Sequence, residues 1–201
     1  MAITDSYATT EEYRAKSGGT DAGGDEQISD DLEAVSRWLE HELGQFFNVD
    51  DEDVTRLYTP AQAASLWIDN LSADPTSIKI DSDNDGDFSD ETALAAADYE
   101  LLPFNALVGP EPGPYTQVKL TPWGAKSSWK NLRVQIIGKW GWPSVPRGVK
   151  ESTIEFTRLW RMESPRATTQ ITELDGVVGM SRSAQSMLDK LMSKYKVVHI
   201  A

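Results

Sequence analysis

The sequence predicts an α+β fold in which a helical core is interrupted by an inserted antiparallel β-region. Three observations carry this expectation. Apolar residues recur at helical spacing up to about residue 47 and again after residue 146. Between residues 54 and 138 the period shortens to two. No helical pattern separates the alternating segments, which favours hairpins over βαβ units.

Each element has its own signal. Thr9-Thr10-Glu11-Glu12 is a capping-box pattern, opening a short helix through Tyr13 and Ala15 that ends at Gly18-Gly19. A flexible loop to Asp25 follows. From Glu26 to Phe47 the residues Ile28, Leu32, Val35, Leu39, Leu43 and Phe46 form one apolar stripe, widened by Trp38 and Phe47, and predict a long central helix. Thr55–Thr59, Ser65–Asp69, Ser77–Asp81, Tyr99–Leu102, Tyr115–Leu120 and Leu132–Ile137 each read as a short strand, with spacers rich in Pro, Gly, Asn and Asp. Gly138 and the run Trp140-Gly141-Trp142-Pro143 stop the last ladder. Pro146 suits a first helical position, and Val149, Thr153, Phe156 and Trp160 then mark a helix over 147–163 that Ser164-Pro165 ends. Trp140, Trp142, Pro143, Pro146 and Trp160 are expected to form a buried structural seam where strand meets helix.

Past Pro165 a polar, Gly-punctuated loop leads to a C-terminal helix from about Ser183. Its stripe of Met187, Leu188, Leu191, Met192 and Tyr195 could close the chain's own core or dock on a neighbour. The organisation expected is a helical part over 1–53, a β-region over 54–138, the seam and second core helix over 139–165, packing with 1–53, and a loop with a final helix over 166–201.

Composition narrows the function. The 201 residues suffice for a substantial core. With no cysteine there is neither a disulfide framework nor thiolate chemistry, as expected of a reducing compartment. No apolar run approaches the roughly 20 residues that span a bilayer, and Met1-Ala2-Ile3-Thr4 lacks the regions of a signal peptide, so neither membrane insertion nor export is expected. Charge is uneven: residues 1–100 hold 25 acidic and 5 basic side chains, and residues 101–201 hold 7 and 14. That asymmetry is either two solvated faces or acidic and basic surfaces that meet across subunits, as in a ring built from a heterologous contact. A net charge of −13 disfavours tight nucleic-acid binding but not a channel through which DNA slides.

Catalytic signals are few. The two histidines, His41 and His199, have no triad or zinc context, and no phosphate-binding glycine loop is present. An enzyme is not expected. One motif stands out. Asp81, Asp83, Asp85 and Asp87, with Gly86 at the sixth position, match the opening of a calcium loop of the EF-hand kind. Thr92 stands where that pattern requires a bidentate glutamate, Glu91 falls one residue early, and the flanks read as strands. An Asx/Gly hairpin turn is therefore the expectation, with calcium bound weakly at best and no cofactor otherwise.

The segment Gly138-Lys139-Trp140-Gly141-Trp142-Pro143-Ser144-Val145-Pro146, with a helix ending Arg158-Leu159-Trp160-Arg161, resembles the head–tail connector (adaptor, head-completion) proteins of long-tailed, siphovirus-type bacteriophages. The resemblance extends to the Thr10-Glu11-Glu12-Tyr13-Arg14 segment, the long helix near Phe46-Phe47, the Thr55-Arg56-Leu57-Tyr58 strand and the Asp-Gly-Asp turn ahead of Asp98-Tyr99. It implies a structural virion protein at the neck, assembled in the host cytoplasm. Its partners would be copies of itself in a ring, twelve-fold by family, with the portal above and a neck or tail-completion protein below. Genome DNA would pass through the channel without specific binding. The alternative from another class is a calcium-binding β-module for adhesion or carbohydrate binding, with Trp123 and Trp129 as ligand platform. A carboxylate-based hydrolase is a third reading, and it requires an acidic pocket.

Overall fold

The computed structural model describes residues 6–18, 24–124, 128–163 and 182–195. Among them the chain is α+β, with four α-helices and two three-stranded antiparallel sheets. It divides into a helical unit, 1–47 with 145–201, and a β unit, 48–144.

In the helical unit, α1 (Thr10–Ser17) starts at a complete capping box, in which the Thr9 hydroxyl and the Glu12 carboxylate each satisfy a backbone N–H at the other's end. The next helix, α2 (Asp25–Leu43), packs Ile28, Leu32, Val35, Leu39 and Leu43 inward. It stops four residues before Phe47, the end expected from the stripe. Gly44 takes the left-handed conformation (φ 69°) and its N–H closes on the Glu40 carbonyl, so the apolar stripe outlasts the helix. Phe46 is consequently exposed, while Phe47 is buried with its ring edge-on to Tyr7 and to Tyr195, centroids 5.6 Å apart in both pairs. The long helix α3 (Arg147–Glu163) packs on α2 through contacts such as Trp38 on Phe156, and α4 (Arg182–Tyr195) packs on both.

A polar network runs into this unit, with Tyr7 and Glu40 buried and Arg37 half-buried at its edge. The Tyr7 hydroxyl donates to the Glu40 carboxylate and accepts from the Phe47 amide at 3.1 Å, and Arg37 pairs with Glu40 at 3.0 Å. Burial pushes the Glu40 carboxyl above its usual 4.5, against the opposing pull of Tyr7 and Arg37. The Tyr7 phenol is driven far up, first by burial and then by its hydrogen bond to Glu40. A carboxyl raised by folding holds its proton more tightly in the native state. Its contribution to stability is therefore full below 4.5 and is lost as pH rises through the folded value. Glu40→Gln, which keeps an acceptor for Tyr7, should flatten the decline in stability from pH 4.5 toward neutrality in urea unfolding. An unchanged pH slope would contradict this.

The β unit is a sandwich. One sheet has the order β1 (Val54–Tyr58), β6 (Val134–Gly138), β3 (Ser77–Ile80); the other has the order β2 (Ser65–Leu71), β5 (Tyr115–Leu120), β4 (Tyr99–Leu102). The alternation seen in the sequence sends Ile78, Ile80, Val134 and Ile136 from the first sheet, and Leu66, Ile68, Leu71, Val118 and Leu120 from the second, into one core with Trp129 and Trp140. The sheets join at one corner. Leu71, at the end of β2, bridges to Trp140 just past β6, the Ser72 amide donates to the Lys139 carbonyl and the Gly141 amide to the Asn70 carbonyl.

Candidate functional site

The acidic loop hangs from the first sheet. Ile80 pairs with Val134, and Asp81 extends the ladder one residue further, its N–H donating to the Arg133 carbonyl at 2.9 Å. This carries the Asp81 side chain inside, where it is 0% exposed. Its Oδ2 accepts from the Gly86 amide at 3.0 Å and lies 3.8 Å from the Arg133 Nε; its Oδ1 has no hydrogen-bond partner among the described residues. Gly86 has φ +87°, and the Arg133 guanidinium lies against the space where a side chain would begin. Together with Asn84 at φ 63°, these left-handed residues turn the chain sharply back.

Beyond Asp81 the loop is a run of Asx turns. Asp83 accepts from the Asp85 amide at 3.3 Å, Asp85 from the Asp87 amide at 2.7 Å, and Asp87 from the Ser89 amide at 2.8 Å. Glu91 then folds back, its carboxylate taking the Ser82 amide at 2.5 Å and the Ser82 hydroxyl at 3.3 Å. Lys79 fixes the far side by donating to the Phe88 carbonyl at 2.7 Å. The result is a convergence of Asp81, Asp83 and Glu91, whose carboxylate oxygens lie within 4.8 Å of one another. Asp85 and Asp87 are outside that group. At Asp83 the largest influence, the Asp85 amide, pulls the carboxyl down. Desolvation and the negative neighbours Asp85, Asp90 and Asp81 together outweigh it and leave the carboxyl raised. Asp87 is lowered by the Ser89 amide and hydroxyl. Glu91, which the sequence shows as falling one residue early for the helix-flanked pattern, is nonetheless brought beside Asp81 and Asp83.

The tryptophan-rich segment divides between the two units. Trp140 is 1% exposed in the sandwich core, its indole N–H donating to the Val54 carbonyl at 2.8 Å and its ring lying under the Arg56 guanidinium at 4.5 Å. Trp142 is half-buried, lying against Gly113, and Pro143 is half-buried beside it. In the helical unit Pro146 is buried and Trp160 half-buried. Pro146 precedes α3 by one residue, and its carbonyl accepts the helix's first bond from the Lys150 amide at 3.0 Å. Trp142→Ala should therefore cost much less than the equivalent change at Trp140.

The apolar stripe of α4 is turned into its own unit. Leu188, Leu191 and Tyr195 are buried and Met187 and Met192 half-buried, with the Tyr195 carbonyl receiving the Gln45 amide. Leu188, Leu191 and Tyr195 thus pack within the chain, where α2 and α3 supply the surface that a short amphipathic helix needs. The preceding loop, 164–181, lies outside the described residues, as does His199. Of the two tryptophans considered as a ligand platform, Trp129 is fully buried in the sandwich core and Trp123 is 88% exposed.

An all-helical unit interrupted between α2 and α3 by a six-stranded antiparallel sandwich defines the structural class of this chain. Neither a family model nor a curated protein sequence matches it. Several solved chains share the fold, two of them from gene transfer agent particles. One, described as the neck of an empty gene transfer agent particle computed with C6 symmetry, aligns with a TM-score of 0.56 at 15% identity, over 96% of this chain and 90% of that one. The other, from the virion of a native gene transfer agent particle, gives 0.52 at 16% identity with the same coverage of both chains.

Proposed function

We propose that this chain is a structural subunit of the neck of a phage-like particle, forming a ring between portal and tail and continuing the DNA channel. The observation that carries this is the extent of the fold likeness. The match takes in 96% of this chain, and so both the helical unit and the β unit inserted into it, together with nine-tenths of a chain from a particle neck. The connector resemblance in the Trp140–Pro146 segment points the same way and rests on sequence alone. A twelve-fold ring contains the sixfold axis with which that neck was computed, so the two indications are compatible.

The surface supports a protein that works through interfaces rather than catalysis. The edge strands β1 and β2 expose Leu57 and Trp67, and the loops expose Phe104, Val108 and Trp123. Edge strands that no further strand covers among the described residues, and that carry large apolar side chains, are contact surfaces for a neighbouring subunit. The opposed charge of the two halves of the sequence gives such contacts a sign. The portal, the neck or tail-completion protein and the passing genome would be its neighbours in the virion. Native mass spectrometry of the purified chain, with and without portal, tests the reading. Closed rings, or a portal complex in a fixed multiple of six, are expected. A strictly monomeric chain that ignores portal at micromolar concentration would overturn it.

A further inference from the structure

We propose that the 81–91 loop is a calcium site, with Asp81, Asp83 and Glu91 as its protein ligands. This is independent of the neck assignment and goes beyond it.

Convergence of acids alone would not establish a site, because an exposed acidic turn is stable without an ion. The deciding feature is Asp81. Its carboxylate is fully buried, one oxygen is engaged by the Gly86 amide and faces Arg133, and the other has no partner among the described residues. A buried, half-satisfied carboxylate is costly unless paired or coordinated to a metal. The same carboxylate faces those of Asp83 and Glu91, and oxygens within 4.8 Å of one another can all reach one cation at calcium–oxygen bond lengths of about 2.3–2.6 Å.

Charge and donor type agree. The three carboxylates, with Asp85 and Asp90 close to Asp83, carry more negative charge than the Arg133 guanidinium facing Asp81 offsets, and a divalent ion reduces that excess. All three donors are carboxylate oxygen, which selects a hard cation. They sit on an irregular loop, which suits calcium's flexible coordination better than the near-ideal octahedron of magnesium. Glu91 closes the site from the eleventh position because the loop is flanked by β3 rather than by a helix, so its chain returns earlier. With three protein ligands and the remainder supplied by water, the affinity expected is that of weak sites, about 10⁻⁴–10⁻³ M.

The test uses the full chain in chelator-treated buffer. Equilibrium dialysis against calcium should give one ion per chain, and about 10 mM calcium should raise the melting temperature by several degrees through mass action. The same concentration of magnesium, or sodium chloride at matched ionic strength, should raise it far less. Asp83→Asn, at an exposed position, and Glu91→Gln, at a half-buried one, should each weaken binding at least tenfold while the circular dichroism spectrum stays native. Asp90→Asn, an acid of the same loop outside the three, should retain binding. The proposal is overturned if no ion is bound up to about 10 mM. It is equally overturned if magnesium or sodium chloride reproduces the shift, or if Asp83→Asn binds as the parent does.

Discussion

Trp140→Ala should destabilise the β unit by about 3–5 kcal/mol, a large part of the 5–15 kcal/mol that holds a typical domain together. The side chain is 1% exposed, so the whole indole volume becomes a cavity at the corner where the two sheets join. Three further losses add to the cavity. The Val54 carbonyl loses its donor at 2.8 Å, Arg56 loses the ring beneath it, and Tyr58 loses an aromatic neighbour at 6.0 Å. Trp140→Phe separates these effects, since it restores most of the volume but not the N–H, and should cost appreciably less. Urea unfolding followed by far-ultraviolet circular dichroism reads both variants. A cost below about 1 kcal/mol for the alanine would remove Trp140 from the core.

The neighbouring Gly141→Ala should be at least as damaging, although it adds a single methyl. Gly141 has φ +112°, and a Cβ there would lie 1.9 Å from the Asn48 carbonyl oxygen and 3.0 Å from the Val49 Cα. These are backbone atoms, so no rotamer change relieves the overlap. The Val49–Gly141 bridge would have to open, and with it the hydrogen bonds from Asp50 to Trp140 and from Gly141 to Asn70, each 2.8 Å. Left-handed strain alone costs on the order of 1–3 kcal/mol, and the overlap adds to it, so a loss above about 3 kcal/mol is expected. Gly18→Ala is the control. It has φ +68° at the C-cap of α1 but nothing within 4 Å of the new methyl, so it should show the strain without the clash. Equal losses at the two sites would mean that the backbone approach at Gly141 relaxes freely.

Much of this fold is legible in the sequence because its elements obey simple periods. The stripe from Ile28 to Leu43 and the two-residue alternation of Val134 and Ile136 are direct images of one buried face. What the sequence hides is pairing. Nothing local says that β6 lies between β1 and β3 while β5 lies between β2 and β4, and so a β-region read as one insertion is in fact two facing sheets. The same holds for side chains with two plausible fates. Trp129 and Trp123 stand in one loop, yet the first fills the core and the second is exposed. Leu188 and Tyr195 could have served a partner, and only the packing of α4 on α2 and α3 shows that they serve the chain itself. In the acidic loop the spacing of aspartates is visible, but the arrival of Glu91 beside Asp81 depends on how β3 delivers the turn. The stripe through Phe46 misleads for a local reason, since Gly44 ends the helix before hydrophobicity does.

The central claim is that this chain works as one copy among several around the axis of a particle neck. Electron cryomicroscopy of the native particle, reconstructed at the neck without imposing the symmetry of this ring beforehand, tests it most directly. A ring between portal and tail is expected, into whose density the helical unit and the sandwich fit in repeating copies. Edge strands β1 and β2 should lie in subunit contacts and an open channel should lie on the axis. A neck fully accounted for by other chains, or copies of this one found only away from the axis, would contradict it.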